Sequence, residues 1–176
     1  MTFTTSNKQK IKEITRVLPD VNIVSGADLP EVDGTWIEVI THKAIDAGKG
    51  FVVEDTILEI DGVEVVDIKW NQEDKLKNTQ KVVWRVSLGY NDGENIKVWT
   101  GITNGIIVEP NTDGYGFDPY ILPDGFDITV AQLDKENRKD EISPRKKALL
   151  NLKNRKPEFT VAITEVPTWT GKYQTA

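Results

Sequence analysis

Apolar positions along the chain follow two spacings, and the switches between them mark its elements. Residues 2–5 (TFTT) read as a short strand. Over residues 7–17, Ile11, Ile14 and Val17 fall at helical spacing, and Leu18-Pro19-Asp20 ends the run. Residues 21–25 (VNIVS) predict a second strand. A polar loop with Pro30 and Gly34 follows. Trp36, Ile37, Ile40, Ala44 and Ala47 then share one face of a helix over residues 35–48, and FVVE at 51–54 reads as a buried strand. The first third is thus β-α-β-α-β, which points to an α/β sandwich.

The middle of the chain is richer in strands. Residues 57–66 carry Asp61-Gly62 between apolar runs, a hairpin signal, and Asn91-Asp92-Gly93 separates 82–90 from 96–103 in the same way. Residues 105–109 extend the second of these strands, and 68–81 are polar and read as helical. A glycine- and proline-rich loop occupies 110–125. Ser143-Pro144 opens a last helix, since serine caps and proline suits the first turn; Ala148, Leu149 and Leu152 form its apolar face. Residues 159–166 read as a closing strand, and the last ten residues as a loose tail. The expectation is one domain over residues 1–176.

Composition narrows the chemistry. The chain has 176 residues, 38% hydrophobic and 28% charged, with a net charge of -6. An acidic balance argues against a nucleic-acid backbone as partner, although one nucleotide needs only a few local cations. No apolar run is long enough to span a membrane, and the first ten residues lack the apolar stretch of a signal peptide, so the cytoplasm is the expected location. With no cysteine and His42 as the one histidine, thiolate chemistry and multi-histidine metal sites are excluded. A metal would have to be held by carboxylates, which favours Mg²⁺, with Mn²⁺ as a substitute.

Four places carry candidate chemistry. Thr5-Ser6-Asn7 joins a strand to a helix start, with Lys8 and Lys10 behind it. Free N–H groups and the helix dipole suit an anion there; a plain capped helix start is the alternative. Glu54-Asp55 ends a buried strand, and two adjacent carboxylates call for a cation or a shared proton unless Asp55 simply caps a turn. Glu38, on the preceding helix, is placed to converge with them. The loop Gly114-Tyr115-Gly116-Phe117-Asp118-Pro119 sets two aromatics beside a carboxylate, a pattern suited to stacking and reading a base, or to a tight loop with core aromatics. Lys139 and Arg145 flank the last helix start, in reach of a phosphate or carbonyl or merely solvated.

The order of these pieces resembles the inosine triphosphate pyrophosphatase family. Thr5-Ser6-Asn7-Lys8-Gln9-Lys10 is similar to its T-G-N-x-x-K, and Glu54-Asp55-Thr56-Ile57-Leu58 to its E-D-[TS]-x-L. Ile68-Lys69-Trp70, then Tyr115-Gly116-Phe117-Asp118-Pro119 with Pro123-Asp124-Gly125, then Thr129-Val130-Ala131-Gln132-Leu133, then Lys139 to Leu149 complete the series over residues 2–152. The resemblance implies a mixed, elongated central β-sheet flanked by helices, with an active-site cleft between two lobes. It implies Mg²⁺-dependent cleavage of a nucleoside triphosphate to monophosphate and pyrophosphate by a homodimer. Under it, Thr5, Ser6, Asn7 and Lys10 hold phosphates, Lys10 joins the catalytic set, and Glu38 and Asp55 serve the metal and the attacking water. Tyr115, Phe117 and Asp118 line the base pocket with Lys139 nearby, and Ser143 and Arg145 read a 6-oxo base such as that of (d)ITP or XTP. The chain departs from the pattern at Ser6 for glycine, Gln132 for glutamate, Pro144 for histidine, and Gly62-Val63-Glu64-Val65-Val66 for a Pro-Gly element. A related enzyme for another nucleotide such as dGTP or dUTP, and a non-catalytic nucleotide binder, are the other readings.

Overall fold

The computed structural model describes residues 1–26, 28–68, 76–77 and 80–174. Most of the expected polar helix over 68–81, and Lys69-Trp70, lie outside them. The order of main elements is β1 (Thr2–Thr4), α1 (Lys8–Val17), β2 (Asn22–Val24), α2 (Trp36–Ala47), β3 (Phe51–Ile60), β4 (Val63–Val65), β5 (Lys81–Asn91), β6 (Asn95–Ile107), β7 (Ile121–Pro123), α3 (Val130–Lys135), α4 (Pro144–Asn154) and β8 (Phe159–Ala162). The strands form one mixed eight-stranded sheet in the order β2-β1-β3-β5-β6-β7, with β4 on β3 and β8 on β6. β1 pairs in parallel with β2 and β3, and the other pairs are antiparallel.

Helices cover both faces. On one, α1 and α4 bury Ile14, Ala148 and Leu149 against Phe3, Val52, Val86 and Leu88. On the other, α2 buries Ile40 and Ala44 against Val53, Ile96 and Val98. Each fully buried aliphatic side chain contributes about 1.5–3 kcal/mol, so these two layers fix where the helix starts lie relative to β3. Helix α4 also needs Gly101: a Cβ there would stand 2.1 Å from the Pro144 carbonyl oxygen, so only glycine lets the helix start rest on β6.

Local signals hold where the side chain closes its own turn. Asp61 (φ 49°) and Gly62 (φ 83°) turn β3 into β4 in the left-handed conformation that a tight hairpin uses. Ser143 Oγ accepts from the Lys146 N–H at 3.1 Å with Pro144 in the first turn of α4. Four expectations change. β3 runs unbroken from Phe51 to Ile60, because Glu54 and Asp55 meet charged partners on either face rather than breaking the strand. The 110–125 loop contains a 3-10 turn at Asp118–Tyr120 and the short β7, and the closing strand stops at Ala162. Residues 167–174 of the expected tail are tied down: Asp33 N–H donates to the Lys172 carbonyl, Gln174 N–H to that of Glu31, and Trp169 packs against a core cluster with Val32 and Ile57.

Candidate active site

The site lies at a break in the sheet. β1 pairs with β3 only at Phe51 and Val52, and β4 joins the same edge only at Leu58–Ile60. Among the described strands nothing pairs with Val53–Ile57 on that side. Side chains alternate along a strand, so Glu54 points to the α1/α4 face and Asp55 to the α2 face. One open stretch of edge thereby serves two charge clusters.

Glu54 anchors the first cluster. Arg145 donates to both its oxygens through Nε and Nη2, and Lys10 Nζ lies 3.1 Å away. Arg145 also donates from Nη1 to Glu13 at 3.0 Å. Burial alone would raise the Glu54 carboxyl, but Arg145 and Lys10 outweigh it and hold it well below the ordinary carboxylate range. Glu54 is therefore a fixed anion. Lys139, 2% exposed, donates to Asp118 at 2.7 Å and sits 5.5 Å from the Tyr115 ring. Burial raises the Asp118 carboxyl and Lys139 opposes the shift.

Asp55 behaves differently. It is 6% exposed, and burial pushes its carboxyl up to about 7; Lys43 and Lys10 pull it down, Glu31 and Glu54 push it further up. A carboxyl poised there can take a proton from water near neutral pH, which suits a general base. Lys43, on α2, donates to the Glu54 carbonyl at 2.8 Å and lies 3.5 Å from Glu31. It caps the open edge of β3 from the side that faces Asp55.

Two adjoining cavities meet here and share Asn7, Lys10, Glu31 and Lys43. The smaller, about 210 Å³, is lined by Trp84, Tyr115, Phe117, Val66 and Ile68, with Asp55, Asp118, Lys139 and Arg145 among its polar groups. The larger, about 390 Å³, is lined by Thr5, Ser6 and Asn7 at the start of α1. Asn7 closes the wall between them: its Oδ1 accepts from the Gln9 and Lys10 N–H groups, and its Nδ2 donates to the Tyr115 hydroxyl at 2.7 Å. One compartment is aromatic and flat-walled; the other offers a cation and a helix start to an anion.

Thr5, Ser6, Asn7, Lys10, Asp55, Tyr115, Phe117, Asp118, Lys139 and Arg145 thus come together at these cavities. Glu38 and Ser143 do not line them. The Glu38 carboxylate closes a capping box, accepting from the Thr35 N–H at 2.9 Å, and faces a groove with His42 and Trp169 instead. The Ser143 hydroxyl is spent on its own helix start. The acid that meets Asp55 is Glu31, in the polar loop; its signal in the sequence was a carboxylate directly after Pro30. Lys43 and Trp84 were likewise missed, each hidden among residues that read equally well as helix surface and strand core. Among the described residues no group of three or more carboxylates and imidazoles could hold a metal by itself. Asp55 and Glu31 are hard oxygen donors on one cavity wall beside an anion compartment. That set fits Mg²⁺, which takes one or two carboxylates and completes its shell with water and phosphate oxygens.

Fold and site together define a nucleotide-handling α/β enzyme. The chain belongs to the Ham1 family, whose pattern matches residues 1–155. It is 32% identical to an inosine triphosphate pyrophosphatase from Scheffersomyces stipitis, over 88% of this chain and 96% of that protein. Its fold is similar to a HAM1 protein from Coxiella burnetii, with a TM-score of 0.64 at 23% identity over 86% of this chain and 94% of that one. It is also similar to a nucleoside-triphosphatase, a dITP/XTP pyrophosphatase, from Mycobacterium abscessus: TM-score 0.57, 26% identity, 86% of this chain and 98% of that one. No helix among the described residues is long and apolar enough to cross a membrane.

Proposed function

We infer that this protein is a nucleoside triphosphate pyrophosphohydrolase for non-canonical purine nucleotides, the class of (d)ITP and XTP. The observation that carries the reading is the pairing of an aromatic compartment, lined by Asp55, with a cationic one across Asn7, Lys10, Glu31 and Lys43. The base stacks among Trp84, Tyr115 and Phe117. The Lys139 ammonium and Arg145 guanidinium supply donors, which an oxo base accepts and a 6-amino group does not. The triphosphate runs toward Lys10 and the α1 start. Asp55 takes a proton from a water as that water adds to the α-phosphorus; the bond from that phosphorus to the bridging oxygen breaks, and pyrophosphate leaves. Glu54 holds Lys10 in place and remains anionic throughout. Asp55 and Glu31 would hold Mg²⁺, which supplies charge neutralisation on the phosphates and a more acidic water. The proposal includes a homodimer acting in the cytoplasm; Val63, 65% exposed on the β4 hairpin, offers an apolar contact point.

The test is pyrophosphate release from ITP, XTP, dITP, dGTP, dUTP and dATP, with Mg²⁺ and then with EDTA. We expect oxo-purine nucleotides to be cleaved best, pyrophosphate as first product, and loss of turnover in chelator restored by Mg²⁺. Orthophosphate as first product, or full activity in EDTA, overturns the reading.

A further inference from the structure

The family match ends at residue 155, yet the chain continues and returns to the active site. After β8, residues Val166–Gln174 run back across α2 to the Pro30–Asp33 loop. Trp169 is the anchor. Its ring packs with Val32, Val39, Ile57 and Val66, lies 5.5 Å from His42, and its Nε1 donates to the Lys172 carbonyl at 2.9 Å. Beyond it the segment forms a bridge between Tyr173 and Val32. Asp33 N–H donates to the Lys172 carbonyl at 2.9 Å, Gln174 N–H to the Glu31 carbonyl at 2.8 Å, and Gln174 Nε2 to the Val32 carbonyl at 3.1 Å. The backbone on both sides of Val32 is thus tied to this segment. Gln174 also walls the anion compartment beside Lys10 and Glu31, with its Oε1 buried and unbonded.

We propose that residues 166–174 form a strap that belongs to the active site: it fixes the Pro30–Asp33 loop, sets Glu31 against Asp55, and closes one wall of the triphosphate compartment. A loop has many backbone conformations to lose, and three hydrogen bonds to a segment anchored by a half-buried indole remove that freedom before the substrate arrives. The strap residues are positioning residues. The consequence for catalysis rests on the function proposed above; the strap itself does not.

The experiment uses a chain stopped after Gly171, which retains Trp169 and removes the Lys172 carbonyl to which Trp169 and Asp33 donate, the bridge and Gln174. Three quantities are read against the full chain: hydrogen exchange at the Asp33 amide, calorimetric binding of inorganic triphosphate with Mg²⁺, and kcat/KM on ITP. We expect faster exchange at Asp33 with α2 and β3 amides unchanged. Triphosphate affinity and kcat/KM should each fall about 10- to 100-fold, the usual effect of losing a group that orients a ligand-holding side chain. Gln174→Ala alone should reproduce part of the binding loss. Unchanged exchange at Asp33 overturns the strap. Faster exchange with unchanged or tighter triphosphate binding overturns the positioning role. If the full chain binds triphosphate yet cleaves no nucleotide, the enzyme reading fails, while exchange and binding still decide for or against the strap.

Discussion

Asp55→Asn isolates a buried carboxylate that the fold pushes up toward neutrality. The carboxyl titrates at about 7 in the folded protein, against about 3.9 in an unfolded chain. At about 1.36 kcal/mol per pH unit, its ionisation costs the folded state at most roughly 4 kcal/mol. The sign follows from which state ionises first. Below about pH 4 the proton is bound in both states and nothing is lost. Between about pH 4 and 7 the unfolded chain releases it first, so stability falls as pH rises; above about 7 the loss is complete and constant. Asparagine keeps the shape and removes the titration. The variant should lie within about 1 kcal/mol of the parent near pH 4.5 and exceed it by up to roughly 4 kcal/mol at pH 8, read by urea unfolding in EDTA. Added Mg²⁺ should shrink that gain by stabilising the ionised form in the parent. Turnover should meanwhile drop by about 10²–10⁴, as for a general base. A stability difference that stays flat from pH 4.5 to 8 would refute the argument that Asp55 is buried at a cost.

Arg145→Ala leaves Glu54 and Glu13 buried without their main cation, so it should destabilise the fold by about 3–5 kcal/mol in urea titration; an unchanged midpoint would place the network outside the folding balance. Tyr115→Phe removes the hydroxyl that Asn7 Nδ2 meets at 2.7 Å and should raise KM several-fold with little change in kcat, whereas equal KM values would show the link to be idle. Light scattering at micromolar concentration should report twice the 19.8 kDa chain mass; a purely monomeric species would remove the homodimer.

Where local chemistry decided the structure, the sequence could be read. Asp61-Gly62, Asn91-Asp92-Gly93 and Ser143-Pro144 each close their own turns. The paired carboxylates and the Tyr115–Asp118 loop were visible as candidates because their residue types are costly in a core without partners. Glu38 and Glu31 show the limit. Seven residues apart, both acids flank a helix start, and only the fold shows that one is consumed by Thr35 while the other faces Asp55. Arg145 shows another: a cation beside a helix cap reads as a group in reach of a ligand, and it does line the cavity, but the Glu13 and Glu54 that orient it come from 132 and 91 residues away. The helix Val130–Lys135 was missed although Thr129 and Gln132 cap each other, because six residues carry too little periodicity. The tail was misjudged for a related reason: Trp169 is its one large apolar anchor, and its binding surface is formed by distant parts of the chain.

The unpaired stretch of β3 also bears on solubility. An open strand edge presents backbone donors and acceptors to any passing chain and invites intermolecular pairing. Here the unpaired peptide groups lie largely buried amid Lys10, Lys43, Glu54 and Asp55, and the Lys43 ammonium already occupies the Glu54 carbonyl. A foreign strand would have to strip these charges of water and displace that ammonium before forming its first bond. The residues that receive the substrate therefore act as gatekeepers against self-assembly. Neutralising several at once should make the protein prone to aggregate even where each single change leaves it folded.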